Sequence, residues 1–325
     1  MSILIIGGGV IAWSLAWQLA QKKAAVTVVS DEGSSASLAA AGMLAPSFEA
    51  RHPRAGKGLG RILHNSLELW DDFAHRLSYD PLQDLDYCRE GIIAVDYPPD
   101  IFPTSVPHPP LSAIMSKRMV LLPGEGQVNP RQLLPLLKKS AQSFGAVLVN
   151  RRALAFWEEG RHVIGCFLEN EDPIRADYVI LAAGAGGDVF FPSKKPNLIP
   201  VRGRAFLVEA PHPLLPKVIR TQDIYLCPKQ DGTLYVGATE EFMGQMNEKN
   251  LLDRLWEGAI KLYPALRDQK ILQIFDGVRP AHVTGVPHVR WHGEKKNLIL
   301  AQGHDRNGIL LSPWTVKEVM GLLDL

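Results

Sequence analysis

The first thirty residues carry two hydrophobic patterns in succession. Residues Ile3–Ile6 form a short run of branched apolar residues, which is typical of a strand buried on both faces. Over Val10–Gln21 apolar side chains recur every four residues, as at Ile11 and Leu15, and this spacing predicts a helix. A second apolar run, Val26–Val29, completes a strand–helix–strand unit, which we expect to be parallel and right-handed.

The elements that follow change in character along the chain. Helices are predicted at residues 57–78, 130–144 and 251–263, and from about 307 towards the C-terminus. Strands are predicted at residues 154–157, 162–168, 178–181, 201–209, 224–227, 233–237, 271–275 and 298–301. Six prolines between residues 98 and 110 indicate an extended surface segment.

These elements predict an α/β fold with two domains, which agrees with a length of 325 residues. The strands between 201 and 237 are typical of an antiparallel sheet, whereas both chain ends carry the strand–helix pattern of a nucleotide-binding domain. We therefore expect a Rossmann-like domain from residues 1–75, 131–200 and 275–325. The second domain, residues 76–130 and 201–274, is inserted into it and is built on an antiparallel or mixed β-sheet.

Composition and charge exclude several classes of protein. Hydrophobic residues make up 46% and charged residues 21%, which is ordinary for a globular chain and excludes disorder and coiled coils. The net charge of +1 gives no reason to expect a nucleic-acid or anionic-lipid partner. Three widely spaced cysteines (Cys88, Cys166 and Cys227) form no disulfide framework or zinc motif, and we expect a reducing, cytoplasmic environment.

The apolar stretch from Ile3 to Ala20 also raises the question of a signal peptide or a membrane span. No Lys or Arg precedes this stretch, and the glycines Gly7–Gly9 interrupt it. We therefore predict a strand, a turn and a helix here, and no membrane span.

The turn between the first strand and the first helix has the spacing of a dinucleotide-binding motif. Gly7 permits a tight turn, Gly9 lets the backbone approach a pyrophosphate, and the small Ala12 permits close packing of helix on strand. A pyrophosphate would lie at the helix N-terminus. The alternative is a glycine-rich turn that binds no ligand.

Such a motif places an acidic residue at the end of the second strand, where it binds the ribose hydroxyls. Asp31 lies 22 residues after Gly9, but Ser30 occupies the acid's place if the strand ends at Val29. Both residues remain candidates, and the alternative for Asp31 is a solvated turn.

Three further segments admit more than one interpretation. Residues 32–48 are rich in small side chains and are either a flexible linker or a backbone-lined loop under a ligand. Gly303–Leu311 places backbone N–H groups and the guanidinium of Arg306 at the N-terminus of a predicted helix. This arrangement suits a bound ligand group that gains negative charge. The alternative there is capping by Asn307 with Arg306 on the surface.

The histidines at 282, 288 and 292 have poor spacing for a metal, so we predict surface histidines and no metal site.

Five sequence blocks occur together and in a characteristic order: Gly7–Ala12, Ala39–Pro46, Leu234–Thr239, Gly277–Pro280 and Gly303–Leu311. In this combination the chain resembles the D-amino-acid oxidase superfamily of FAD enzymes, and within it the glycine oxidases of thiamine biosynthesis. The blocks span nearly the whole chain. The second and fifth blocks are specific, whereas the first is shared with many nucleotide-binding proteins.

The resemblance implies FAD as the cofactor, and no cysteine lies near the blocks that contact the flavin ring, so FAD is expected to be non-covalent. The glycine turn would contact the pyrophosphate, the small-residue loop the flavin ring, the backbone at 154 the adenine, and residues 304–310 the pyrimidine side. The implied cofactor residues are Gly7, Gly9, Val10, Ile11, Ser30, Asp31, Ala41, Gly42, Met43, Leu154, His304, Asp305, Arg306, Asn307, Gly308, Ile309 and Leu310.

The resemblance also implies a substrate site. Arg279 resembles the arginine that holds the substrate carboxylate, Tyr225 the tyrosine that assists it, and Arg306 a second arginine on the substrate side. The implied reaction oxidises glycine or another small amino acid or secondary amine. A hydride moves from the α-carbon to flavin N5, and molecular oxygen gives hydrogen peroxide beside the imine. If the amine is deprotonated, no side-chain base is required.

Alternatives remain at this point. A D-amino-acid dehydrogenase would use the same architecture with a different electron acceptor. A non-catalytic flavoprotein would not need both Arg279 and Tyr225, and an NAD enzyme would have no use for the block at 303–311. The family's tetramers also make a homo-oligomer an expectation.

Two acids depart from the family pattern. Glu240 stands where an apolar residue would cover the substrate, and it either accepts a hydrogen bond from an amine or faces water; we favour water. Asp305 lies beside Arg306 in the chain, and its carboxylate is expected to offset part of the positive charge of Arg306.

Overall fold

The computed structural model describes residues 1–31, 35–102, 105–108, 111–116, 118–192, 195–212, 214–242 and 250–325. Parts of the small-residue segment (32–34) and of the proline-rich segment (103–104 and 109–110) therefore lie outside the described residues. None of the helices in these ranges combines the length and apolar character needed to cross a membrane.

Twenty strands and seven α-helices make up the described chain. The strands are β1 (Ser2–Ile6), β2 (Ala25–Val29), β3 (Met43–Leu44), β4 (Ile92–Val95), β5 (Val106–Pro107), β6 (Met119–Leu122), β7 (Gly126–Gln127), β8 (Val147–Val149), β9 (Ala153–Glu159), β10 (His162–Leu168), β11 (Glu171–Arg175), β12 (Tyr178–Leu181), β13 (Leu198–Glu209), β14 (Val218–Arg220), β15 (Tyr225–Pro228), β16 (Thr233–Gly237), β17 (Glu241–Phe242), β18 (Ile271–His282), β19 (His288–Trp291) and β20 (Leu298–Gln302). The helices are α1 (Val10–Gln21), α2 (Pro46–Glu49), α3 (Leu59–Leu77), α4 (Pro81–Leu85), α5 (Pro130–Ser143), α6 (Leu251–Leu262) and α7 (Ser312–Leu322), with 3₁₀ turns at Pro99–Ile101, Gly184–Phe190, Pro264–Leu266 and Asp305–Asn307.

The first sheet is Rossmann-like. Its strand order is β19-β20-β12-β1-β2-β8, and all neighbours are parallel except β19 and β20. Central β1 pairs with β2 and β12 on its two sides, and its apolar run is buried. Helix α1 packs against α5 and α7 and buries Leu15 and Trp17 in the core. The predicted parallel strand–helix–strand unit is confirmed.

The second sheet carries nine strands and is mixed. Its order is β17-β13-β16-β15-β14-β4-β6-β5, and β18 pairs with β13 along almost its full length. Only β14 and β4 are parallel; the other pairs are antiparallel. Helix α6 contributes Leu255 and Leu262 to the apolar core of this region. The predicted α/β fold with a separate antiparallel or mixed sheet is confirmed.

Two element boundaries differ by five residues or more from the sequence-based predictions. Strand β18 continues to His282, seven residues past the predicted end, because β13 supplies hydrogen-bond partners along its whole length. The last helix begins at Ser312 and not near Asn307, since Asp305–Asn307 forms a separate 3₁₀ turn. The predicted domain boundary at residue 275 falls inside β18, and the division into domains stays a prediction.

Candidate active site

A cavity of about 700 Å³ lies where the two sheets meet. On one side it is lined by Ile6, Val29, Ala182 and Ala301, at or beside the carboxyl ends of the parallel strands β1, β2, β12 and β20. On the other side it reaches residues of the second sheet. Open α/β sheets bind their ligands at this edge, and the volume is typical of a small-molecule site.

In the glycine turn after β1, Gly7 is required for packing, whereas Gly9 borders space that suits a ligand. Gly7 has a φ of +132°, and a Cβ there would collide with the carbonyl oxygen of Ala182, so this glycine serves the close approach of two strands. Among the described residues a Cβ on Gly9 would meet only two side-chain hydroxyls, the Oγ of Ser37 at 3.1 Å and the Oγ of Ser35 at 3.7 Å. The protein therefore tolerates a side chain at Gly9, and the space there lies open at the N-terminus of α1.

Both candidates for the ribose contact line the cavity. Ser30 lies beside the glycine turn, where a Cβ on Gly8 would collide with its Oγ, whereas Asp31 is exposed. The ribose contact therefore stays a prediction for both residues.

The small-residue segment is a packed wall of the cavity from Ser35 onward. Ala41, Gly42 and Met43 all line the cavity. Gly42 has a φ of +80°, and a Cβ there would collide with the carbonyl oxygen of Val128. The described part of this segment is therefore not a flexible linker.

The block after β20 also lines the cavity, from His304 to Ile309. His304 is buried, and its Nε2 lies 2.8 Å from the hydroxyl of Thr315. Burial lowers the pKa of His304 to about 3, so the ring is neutral at physiological pH. A neutral ring adds no charge beside a bound cofactor.

Two residues implied by the family resemblance lie outside the cavity lining. The carbonyl of Leu310 accepts hydrogen bonds from Ser66 Oγ and Trp70 Nε1, so Leu310 belongs to the core between α3 and α7. Leu154 is 49% exposed, and the lining is formed instead by its neighbours at 151–153.

Arg279 and Tyr225 both line the cavity on the side of the second sheet. The guanidinium of Arg279 lies over Gly203, and the Tyr225 ring lies over Gly237, because a Cβ on either glycine would collide with these side chains. Arg279 Nη1 donates to the carbonyl of Thr239 at 3.2 Å. Within the described ranges no carboxylate lies within 4 Å of the Arg279 guanidinium, so its charge is available to a ligand.

Tyr225 is held rigidly and stays protonated. Its ring stacks on Tyr235, which stacks on Phe275, and the Tyr235 hydroxyl donates to the carbonyl of Ala39. Burial raises the pKa of Tyr225, although the charges of Arg279 and other arginines oppose the shift. Its hydroxyl is therefore a hydrogen-bond donor, and it forms with Arg279 a pair of donors suited to a carboxylate.

A buried carboxylate that sequence reasoning missed joins two arginines beside this pair. Glu49, the last residue of α2, lines the cavity and lies 2.8 Å from Nη1 of Arg220 and 2.9 Å from Nε of Arg306. Burial opposes ionisation of Glu49, but the charges of Arg306 and Arg220 outweigh it and lower its pKa. The alternative that left Arg306 on the surface is wrong.

The two departures from the family pattern also meet in an ion-pair cluster. Arg54 Nη2 lies 2.7 Å from Glu240 and 2.8 Å from Asp305. Glu240 does not line the cavity, and its oxygens lie 3.6 Å from His52 Nε2 and from Arg306 Nη1. Glu240 is thus an ion-pair partner of Arg54, a role that neither of the two interpretations included.

The histidine prediction is wrong for His282. Its ring is buried and contacts that of His288, with the centroids 3.5 Å apart. Burial, together with the charges of His282 and Arg290, lowers the pKa of His288 to about 4. In the described part of the chain no three potential ligands converge on a metal position.

Comparisons with known proteins agree with this geometry. A glycine oxidase from Geobacillus kaustophilus is 27% identical, over 99% of this chain and 92% of the relative. The crystal structure of glycine oxidase from that organism has a TM-score of 0.85 and 25% identity, with 99% of this chain and 94% of that chain covered. An iminodiacetate oxidase from Chelativorans shares the fold, with a TM-score of 0.87 and 20% identity.

Longer relatives match as well. A bifunctional protein ThiO/ThiG from Synechocystis is 30% identical over 99% of this chain, and the chain spans about half, 51%, of that relative's length. The FAD dependent oxidoreductase family profile matches residues 2–321, nearly the whole chain. The chain therefore belongs to the FAD-dependent oxidoreductase family that includes these oxidases.

Proposed function

We propose that this chain is an oxidase of glycine or another small amino acid or secondary amine, with FAD held non-covalently. The observation that carries the proposal is the pair Arg279 and Tyr225. Both donors line a dinucleotide-sized cavity, and the Arg279 charge is not neutralised by any described carboxylate. Relatives named glycine oxidase support the substrate class.

The cavity fits FAD on its own chemistry. The open space beside Gly9 and the N-terminus of α1 suit a pyrophosphate, and the backbone at Ala41–Met43 suits the approach of a flat ring. The turn Asp305–Asn307 and the residues that follow it would hold the opposite edge of that ring. When bound, FAD supplies the two-electron redox chemistry that protein side chains lack.

The side chains would orient the substrate. Arg279 presents a planar fork that binds a carboxylate through paired hydrogen bonds, which fixes direction as well as position. Tyr225 adds one donor from a ring that two aromatic neighbours hold in place. A substrate held in this way keeps its α-carbon in one position, and such positioning accounts for much of the rate of enzymatic reactions.

No general base is required in this proposal. Burial keeps Tyr225 and His304 in their neutral forms, and the arginines keep Glu49 ionised through a lowered pKa. The substrate amine would therefore enter the reaction in its neutral form. A role in thiamine biosynthesis and a homo-oligomeric state stay predictions.

Anaerobic and aerobic reactions of the purified protein test the proposal. The protein should be yellow, release FAD on denaturation, and lose its flavin absorbance when glycine, sarcosine, D-alanine or D-proline is added without air. Readmitted air should restore the colour with one hydrogen peroxide per substrate. A protein that binds no FAD would contradict the proposal, whereas slow reoxidation in air with fast reoxidation by a quinone would favour the dehydrogenase.

A further inference from the structure

The cavity wall contains a buried carboxylate that the proposed function leaves unused. Glu49 is only 6% exposed, and its Oε1 accepts a hydrogen bond from Arg220 Nη1. Its Oε2 lies 2.9 Å from Arg306 Nε, but among the described residues no aligned hydrogen bond reaches this oxygen. A buried carboxylate oxygen without a hydrogen bond is costly and marks a place for a donor.

This open acceptor lies close to the proposed carboxylate site. Arg220 connects the two, because its guanidinium pairs with Glu49 and its central carbon lies 6.0 Å from the centre of the Tyr225 ring. Both Glu49 and Tyr225 line the same cavity. A ligand of amino-acid size that places its carboxylate on Arg279 and Tyr225 would bring its other polar end towards Glu49.

We propose, on the basis of the proposed function, that Oε2 of Glu49 accepts a hydrogen bond from the substrate's amino group. The carboxylate pair Arg279 and Tyr225 then fixes one end of the substrate, and Glu49 fixes the other. Two fixed ends leave the α-carbon little freedom, whereas one fixed end would allow rotation about the carboxylate axis.

The surrounding charges favour the neutral amine over the ammonium ion. Arg220 and Arg306 flank Glu49, so two cations already compensate its negative charge. An added cation is disfavoured in such a field, but a neutral N–H is not. Because the pKa of Glu49 is lowered, the residue orients the amine and does not take its proton.

A purely structural role for Glu49 makes a different prediction. If Glu49 only neutralises Arg220 and Arg306, its loss should change the affinity of every carboxylate ligand of the cavity by the same factor. If it binds the amine, its loss should weaken only ligands that carry a donor at that end. Acetate, glycolate and glycine separate these roles, since they share a carboxylate and carry no donor, a hydroxyl and an amine respectively.

The experiment compares wild-type and Glu49→Gln holoenzymes. In Glu49→Gln one oxygen becomes an NH₂ group, which cannot accept a hydrogen bond. Acetate and glycolate binding is followed anaerobically by the change in flavin absorbance, and glycine binding by the concentration dependence of flavin reduction. We expect acetate to bind within about twofold of wild type, and glycolate and glycine to weaken about tenfold to hundredfold, as for hydrogen bonds to charged groups. An equal change in the affinities of all three ligands, in either direction, or no change in any of them, would overturn the inference.

Two further variants serve as controls. Glu240→Gln removes one negative charge beside Arg306 but lies outside the cavity, and it should keep the wild-type ratio of acetate to glycine affinity. Glu49→Asp keeps the charge, withdraws the acceptor by one methylene, and should shift that ratio as Glu49→Gln does, which covers the case in which Glu49→Gln fails to fold. FAD content and thermal stability are measured for each variant. A wild-type holoenzyme that no amino acid reduces would contradict the proposed function itself, whereas normal glycine oxidation with an unchanged ratio in both Glu49 variants would contradict only this inference.

Discussion

The two ends of the cavity are lined by different kinds of groups. At the proposed cofactor end Gly9 and Ala41–Met43 contribute backbone and small side chains beside the neutral His304, although the charged Asp31, Arg151 and Arg152 also line the cavity. At the substrate end the lining carries charge, with Arg279, Arg306 and Glu49 in one wall.

This difference shows how the two ends are specified. The cofactor end depends on short motifs in which the residues lie close together in the chain. The substrate end depends on Glu49, Tyr225, Arg279 and Arg306, which lie far apart in the chain and come together only in the folded protein. Substitutions at the two ends should therefore have different effects. Those at the cofactor end should lower the FAD content, and those at the substrate end should lower the affinity for ligands.

The largest effect is expected for Arg279→Leu. Removing one partner of a buried charge pair costs about 2–5 kcal/mol, which corresponds to about 30-fold to several thousand-fold in substrate affinity. FAD content should stay at the wild-type level. Anaerobic flavin reduction at increasing substrate concentration measures the affinity, and part of the loss should fall on the limiting reduction rate.

Arg279→Lys is the matched variant. It restores the charge but not the paired geometry, so rescue should be partial. Wild-type reduction kinetics in an FAD-loaded Arg279→Leu protein would remove this residue from the active site. Loss of FAD with normal kinetics in the remaining holoenzyme would instead indicate a structural arginine.

Gly203→Ala should move the same arginine without deleting it. The new Cβ would collide with the guanidinium of Arg279, which is the far end of a flexible side chain, so the fold should adapt at little cost. A displacement of about 1 Å in a positioning group costs up to roughly a hundredfold in rate. We expect a higher KM and a lower kcat with unchanged FAD content and thermal stability.

Gly293→Ala is the control for that experiment. No atom lies within 4 Å of a Cβ at Gly293 among the described residues, so this variant should behave as wild type. Normal kinetics in Gly203→Ala would show that the close approach of Gly203 to Arg279 has no bearing on substrate binding.

At the cofactor end, Gly9→Val and Gly7→Ala should separate binding from folding. Gly9→Val places a branched side chain beside the N-terminus of α1, where the proposed pyrophosphate would lie, and overpacking of about 1–3 kcal/mol weakens FAD affinity about 5- to 150-fold. Gly7→Ala introduces a collision at a φ of +132°, so it should lower the thermal stability of the apoprotein. Equal FAD affinity in Gly9→Val and wild type would contradict the assignment of this turn to a pyrophosphate.

The last effect is on the pH dependence of stability and not on activity, and it concerns Glu125, which holds α2 beside the substrate end. Burial raises the pKa of Glu125 to about 7, and its Oε1 accepts a hydrogen bond from the backbone N–H of Ser47 in α2. A carboxyl whose pKa is raised by folding contributes stability below its unfolded pKa of about 4.5, and this contribution is lost as the pH rises through about 7. The difference corresponds to at most about 3 kcal/mol.

Glu125→Gln should therefore gain stability relative to wild type between pH 5 and pH 8. Denaturant unfolding of both proteins at the two pH values measures this difference. Asp86, whose pKa burial raises to about 6, titrates in the same direction in both proteins and cancels in the comparison. Parallel pH profiles of the two proteins would contradict the shift at Glu125.

Local patterns in the sequence were sufficient for four of the six strands of the first sheet and for its first turn, whereas β8 and β19 were not predicted. Helix α1 has its predicted bounds, Val10–Gln21, because a helix is stabilised by contacts three and four residues apart. The glycine turn could be predicted for the same reason, since Gly7 and Gly9 act within a few residues of their position. Strand β18 was predicted too short, because its partner β13 is about 75 residues away in sequence.

Ion pairs at the substrate end could not be predicted from local sequence patterns. Glu49 follows an ordinary Pro-Ser-Phe stretch and gives no local signal, although the arginine in the apolar run Val218–Arg220 could have indicated a buried ion pair. Glu240 could be recognised as a departure, but its partner Arg54 is 186 residues away. Neither pairing could be found without the fold.

The sequence by itself determined the α/β fold and the glycine turn, and its resemblance to a known family indicated Arg279 and Tyr225 as candidates. Only the tertiary structure decided which arginine retains its charge for a ligand. Arg54, Arg220 and Arg306 each lie within 3 Å of a carboxylate, whereas Arg279 contacts a backbone carbonyl. Electrostatic energy depends on distance through space and on burial, and separation along the chain determines neither.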